Sequence, residues 1–189
     1  MELFSPVPSR GPRIANARLA LLMTGLIVAA VALLFTRSIN WFLLKKILEH
    51  RFPEVAWIST QELGNWLADK GRPAPLLLDV RTAEEWNVSH LPGARHVEPK
   101  SPIESVTAGL SKETPIVTYC AVGYRSAEMA KRLKAAGFTN VRNLEGSIFQ
   151  WANERRPLVQ REQPVTRVHP YSALWGRLLE DEARAPLPK

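Results

Sequence analysis

The sequence predicts an α/β fold: a domain with a central, mainly parallel sheet flanked by helices, behind an N-terminal transmembrane helix. Three observations lead there. Short, wholly apolar runs such as Leu76-Leu77-Leu78 and Ile116-Val117 lack the alternation of a half-exposed strand, so both faces of the sheet must be covered. Amphipathic segments opened by capping signals lie between these runs, as expected of helices that cross from one strand to the next. Finally, residues 19–35 form a run of seventeen residues without a charge.

Taken in order, residues 1–18 carry Pro6, Pro8, Gly11 and Pro12 and are expected to be disordered. Residues 19–36 read as the transmembrane helix. At 1.5 Å per residue the uncharged run is about 26 Å long, against a hydrocarbon core of roughly 30 Å. A cleaved signal peptide, for which Ala30-Val31-Ala32 offers a site, and a buried core helix are the alternatives. Apolar residues that continue through Phe35, and a second apolar block at 39–48, favour a retained, single-pass span. Residues 37–54 read as a juxtamembrane amphipathic segment and linker, with Trp41, Lys45 and Lys46 at the interface. Arg37, Lys45, Lys46 and Arg51 follow the span, and Arg10, Arg13 and Arg18 precede it. Four against three places the following domain on the cytoplasmic side by the positive-inside rule.

The domain is expected over residues 55–160. Val55-Ala56-Trp57-Ile58 is a short strand, and Ser59-Thr60-Gln61-Glu62 is a capping box that opens a helix. Leu76 to Asp79 forms the apolar strand, and Thr82-Ala83-Glu84-Glu85 is a second capping box. A short strand follows near His96 and Val97. Ile116-Val117-Thr118-Tyr119 is another strand. Residues 126–136, rich in Ala, Glu, Met, Lys, Arg and Leu, form a helix closed by Gly137. A last strand spans 140–144 and a last helix 147–153. In the tail, 161–189, Leu174, Trp175, Leu178 and Leu179 would share one face of a short amphipathic helix. That face could pack back, lie on a membrane, or dock a protein partner through residues 171–179.

Composition narrows the chemistry. Of the formal charge of +7, residues 1–54 hold seven Lys/Arg against three Asp/Glu. The remainder holds eighteen against fifteen with no basic block, so no nucleic-acid partner is expected. One cysteine excludes an internal disulfide framework. His50, His90, His96 and His169 are too scattered for a metal site, and nothing implies a cofactor. The one cysteine, Cys120, lies on the loop between the 116–119 strand and the 126–136 helix. There, orphan N–H groups and the helix dipole favour a thiolate over a thiol.

Leu78-Asp79-Val80-Arg81, Glu85-Trp86 and His90-Leu91-Pro92-Gly93-Ala94 together resemble the first signature of the rhodanese family. Cys120-Ala121-Val122-Gly123-Tyr124-Arg125-Ser126 resembles its active-site loop. Leu144-Glu145-Gly146-Ser147-Ile148-Phe149-Gln150-Trp151 with Arg156-Pro157-Leu158-Val159 resembles its C-terminal signature. The resemblance implies sulfur transfer: a Cys120 thiolate takes sulfane sulfur from a donor such as thiosulfate and passes it, as a persulfide, to a thiol or other thiophilic acceptor. Donor and acceptor are each a small molecule or a protein. It also implies that backbone N–H groups of Ala121, Val122, Gly123, Tyr124 and Arg125 cradle the sulfur, with Arg125 as a fixed cation near the loop rim that could hold the anionic end of a donor. Asp79, Arg81 and His90 would be structural supports, and Glu85 a capping acid only. Arg125 is one position closer to the cysteine than in C-x5-R phosphatases, which favours one sulfur atom over a phosphate. Ala121 stands where many thiosulfate-using relatives carry a basic residue, so the donor stays open. The rival reading is a non-catalytic binding or scaffold module at a membrane.

Overall fold

The fold is described for residues 12–187 of a computed structural model, and side chains for these residues except 12–18 and 30–39. The chain divides into two compact units, residues 1–39 and 40–189.

Helix α1 spans Pro12–Arg51. Residues 12–18, expected to be disordered, are helical; Pro12 sits at the helix start, where its missing N–H costs no hydrogen bond. Residues 1–11 lie outside the described residues. Side chains 19–29 are exposed throughout. Among the described residues no helix is long and apolar enough to cross a membrane, so these residues do not show the transmembrane helix expected over 19–36. The side chains of 30–36 lie outside the described ones.

Within the segment expected over 37–54, α1 continues to Arg51, and residues 52–54 follow it outside any helix. Pro53 stops it, because the residue before a proline is pushed out of the helical region. Leu48 and Phe52 are buried in the second unit.

In the second unit the elements are β1 (Ala56–Ile58), α2 (Thr60–Ala68), β2 (Leu76–Asp79), α3 (Ala83–Val88), β3 (Arg95–His96), α4 (Ile103–Val106), β4 (Ile116–Tyr119), α5 (Tyr124–Ala135), β5 (Val141–Leu144) and α6 (Ser147–Asn153). Five parallel strands form the sheet in the order β1-β5-β4-β2-β3. Both capping boxes form: Ser59 with Glu62, and Thr82 with Glu85. Successive strand residues point to opposite faces. Leu77 and Val117 therefore join Leu63, Trp66, Phe149 and Trp151 under α2 and α6. Leu78 and Ile116 join Met129, Leu133, Leu48 and Phe52 under α5 and the end of α1.

The compact body continues past residue 160. Strands β6 (Leu158–Gln160) and β7 (Gln163–Val165) form an antiparallel hairpin. Its turn residues, Arg161 and Glu162, both have positive φ (46° and 64°), as a tight two-residue hairpin requires. Beyond it the helix expected over 171–179 is only a 3-10 turn, Trp175–Leu178. Leu178 and Leu179 are inside the core, so they are not available as a docking face; Leu174 remains exposed. A stretch this short gains more by burying two leucines than by closing helical hydrogen bonds of its own.

Candidate active site

Cys120 follows the last residue of the central strand β4, at the C-terminal edge where parallel sheets place ligands. Its backbone is fixed from both sides. The Cys120 N–H donates to Ser147 Oγ (3.2 Å), and the Ser147 hydroxyl donates to the Leu144 carbonyl (3.2 Å). The first N–H groups of α6, which have no partner within the helix, are used here: Ile148 donates to the Cys120 carbonyl (3.2 Å) and Phe149 to that of Ala121 (3.1 Å).

The loop then turns through Gly123, whose φ of +112° is closed to most L residues. A Cβ there would also stand 3.3 Å from Leu48 Cδ1. This turn aims the Gly123 N–H at the Cys120 sulfur, 3.1 Å away. Asn143, on the neighbouring strand β5, holds the turn by donating to the Gly123 carbonyl (2.8 Å); the Thr118 hydroxyl in turn donates to Asn143 Oδ1 (3.2 Å).

Arg125 lies in the first turn of α5 and is not a free cation. Its Nη1 and Nη2 donate to Oε2 and Oε1 of Glu85 at 2.7 and 2.8 Å. Burial works against its charge, but the Glu85 hydrogen bonds and the nearby Cys120 sulfur raise its pKa above the ordinary arginine value. Glu85, whose side chain is only 2% exposed, is more than a capping acid. Burial opposes its ionisation, and Arg125 and the Thr82 N–H outweigh this to hold its carboxyl below the usual range.

The remaining predicted residues separate into two groups. Ala121 and Val122 are buried, and Tyr124 packs edge-on against Phe52. Of the expected N–H cradle, the Gly123 N–H is the one within hydrogen-bond distance of the sulfur among the described contacts. Asp79 and Arg81 form a fully buried ion pair, with Arg81 Nη2 2.6 Å from both Asp79 Oδ2 and the Ser89 carbonyl. His90 exchanges backbone hydrogen bonds with Val159 (2.9 Å each) and stacks on Trp86 at 3.5 Å between ring centres. Burial lowers its pKa. These three tie the end of β2 to the hairpin rather than reaching Cys120. No group of His, Cys, Asp and Glu among the described residues could hold a metal.

Beside the loop lies a cavity of about 690 Å³ whose lining includes Trp41, Lys45, Trp57, Val122 and Arg156, but not Cys120. Sequence reasoning missed Glu85 as the partner of Arg125, Asn143, Ser147 and Tyr171, whose ring lies 5.0 Å from the Arg125 guanidinium carbon. The capping box already accounted for Glu85, and the other three carry no local signal.

The family model described as "Rhodanese-like domain" matches residues 59–154. Over 102 residues the chain is 41% identical to a probable adenylyltransferase/sulfurtransferase MoeZ of Mycobacterium tuberculosis. The aligned part is 53% of this chain but only 25% of that protein. A protein named sulfurtransferase from Allochromatium vinosum is 32% identical over 105 residues, 56% of this chain and 95% of its own. Among solved structures, the rhodanese-like domain of Alr3790 from Anabaena superposes with a TM-score of 0.50 at 26% identity, covering 55% of this chain and 77% of that one. A family match over half of the chain, and a relative aligned along nearly its whole length, lead to one assignment: this chain belongs to the rhodanese-like domain family.

Proposed function

We propose that this protein is a sulfurtransferase that carries sulfane sulfur on Cys120. The observation that supports this most is the Gly123 N–H aimed at the Cys120 sulfur (3.1 Å). A preorganised N–H at that position stabilises negative charge that develops on the transferred sulfur. In the first half-reaction the Cys120 thiolate attacks the outer sulfur of the donor. A new S–S bond forms, the donor's S–S bond breaks, and the leaving group departs with the electron pair: sulfite from thiosulfate, or a thiolate from a persulfide. In the second half, the acceptor thiolate attacks the outer sulfur of the Cys120 persulfide and Cys120 leaves as thiolate. The MoeZ relative joins an adenylyltransferase to a sulfurtransferase by name, and that pairing supports a protein as acceptor.

Incubation with thiosulfate, and separately with glutathione persulfide, tests the proposal. Intact mass spectrometry should show a gain of about 32 Da, one sulfur on the nucleophilic thiol, that Cys120→Ser abolishes. No gain with either donor rejects the sulfurtransferase reading in favour of a binding module.

The proposal includes a membrane tether. Leu21, Leu22, Leu26 and Val28 are 73%, 66%, 65% and 62% exposed, and the sequence stays uncharged through Phe35. Contiguous apolar surface of this kind is unfavourable in water. Retention in the pellet after alkaline carbonate extraction supports the tether, and release into the supernatant removes it.

A further inference from the structure

The chain beyond the family match builds part of the site. Residues 166–185 form a clasp against the domain. The Val168 N–H donates to the Ala183 carbonyl (2.8 Å), and the Ala185 N–H to that of Val168 (3.0 Å). Asn153 of α6 holds the middle: its Nδ2 donates to the Leu178 carbonyl and its Oδ1 accepts from the Glu180 N–H, both at 2.8 Å. Val168 and Leu179 are fully buried. Between these anchors the chain turns at Tyr171, whose φ of +61° is a conformation that L side chains rarely adopt. The turn is braced by the Tyr171 N–H, which donates to His169 Nδ1 at 3.0 Å. A strained turn between two fixed ends places an aromatic ring over the guanidinium of Arg125, with the ring centre 5.0 Å from its Cζ.

This has a consequence for the donor. Arg125 is the one basic residue of the loop from Cys120 to Ser126. Both of its terminal nitrogens are engaged by Glu85, and Tyr171 covers a face. Ala121 follows the cysteine. His169 adds no charge, because the nitrogen that accepts from Tyr171 carries no proton and burial lowers its pKa. A dianionic donor would have to lose water against a cation that is already neutralised and covered.

Building on the sulfur-transfer reading, we propose that Tyr171 determines donor class: by covering Arg125 it disfavours small inorganic dianions such as thiosulfate and favours persulfides of thiols. With such a donor, Cys120–S⁻ and R–S–S⁻ become Cys120–S–S⁻ and R–S⁻; one S–S bond forms, one breaks, and no redox partner is needed.

The test measures the rate of Cys120 sulfur loading in the full-length protein from thiosulfate and from glutathione persulfide. The wild type should load faster from glutathione persulfide. Tyr171→Ala should raise the thiosulfate-to-persulfide rate ratio by about tenfold. Tyr171→Phe, which keeps the ring, should retain the wild-type ratio. If Tyr171→Ala does not fold, Tyr171→Gly removes the ring while relieving the positive φ. An unchanged ratio in the folded ring-less variant, or a Phe variant that behaves like Ala, overturns the role of the ring. Failure of both donors to load the wild type instead rejects the sulfur-transfer reading beneath it.

Discussion

Arg125 and Glu85, 40 residues apart in sequence, meet in a two-point ion pair of 2.7 and 2.8 Å at the edge of the cysteine loop. The pair links the start of α5, which the loop enters, to the start of α3, where the same carboxylate also receives the Thr82 N–H (3.1 Å). One buried acid therefore sets the position of the guanidinium next to Cys120 and caps the start of α3.

Removing that charge should cost stability. Glu85→Gln keeps the size and a capping oxygen but leaves Arg125 partly buried without its counter-ion, a loss of about 2–4 kcal/mol in urea unfolding. The pH dependence follows from the sign of the shift. The Glu85 carboxyl titrates below its ordinary value of 4.5 in the folded state, so its contribution is complete above that value and is lost as pH falls through the folded one. The stability gap between wild type and Glu85→Gln should be widest near neutrality and close in acid. A gap that widens as pH falls would contradict the ion pair.

Gly123→Ala should damage both fold and chemistry. The φ of +112° penalises any Cβ by about 1–2 kcal/mol, and the new methyl meets Leu48 Cδ1 at 3.3 Å. Because the same turn aims the N–H at the sulfur, sulfur loading should slow as well as the melting temperature fall. The double variant with Leu48→Ala should recover the contact but not the dihedral cost, so recovery of the full loss would show that crowding alone was responsible.

Asp79→Ala leaves the Arg81 guanidinium, fully buried, without its counter-charge, an expected loss of about 3–5 kcal/mol. Chemical denaturation reads this directly. A variant of wild-type stability that no longer loads sulfur would instead assign Asp79 to the chemistry.

In the tail, Leu179→Ala should cost about 2–4 kcal/mol, whereas Leu174→Ala should lie within about 0.5 kcal/mol of wild type. The first side chain is fully buried and the second is 67% exposed. Equal, small effects would mean that the tail does not pack as described.

The central domain was legible because its signals are local. Apolar strands, two capping boxes and the glycine after α5 each act within a few residues, and from β1 to α6 the observed strands and helices, the unexpected α4 apart, begin within about two residues of where those signals put them. The same locality exposed Cys120 as a thiol on a strand-to-helix loop. The sequence went astray where two demands competed for one residue. Glu85 satisfied a capping box, so nothing local indicated that its remaining capacity belonged to Arg125. Leu178 and Leu179 had helical spacing, but burial claimed them first.

By itself, then, the sequence determined the α/β fold, the loop that bears Cys120 and the glycine that lets the loop turn, because backbone preference and hydrophobic period operate over short distances. Only the tertiary structure decided what surrounds that thiol. It paired Arg125 with Glu85, wired Asn143 and Ser147 to the loop, and laid Tyr171 over the guanidinium. These contacts join residues tens of positions apart, and such meetings arise only when the whole core closes, so no local pattern records them.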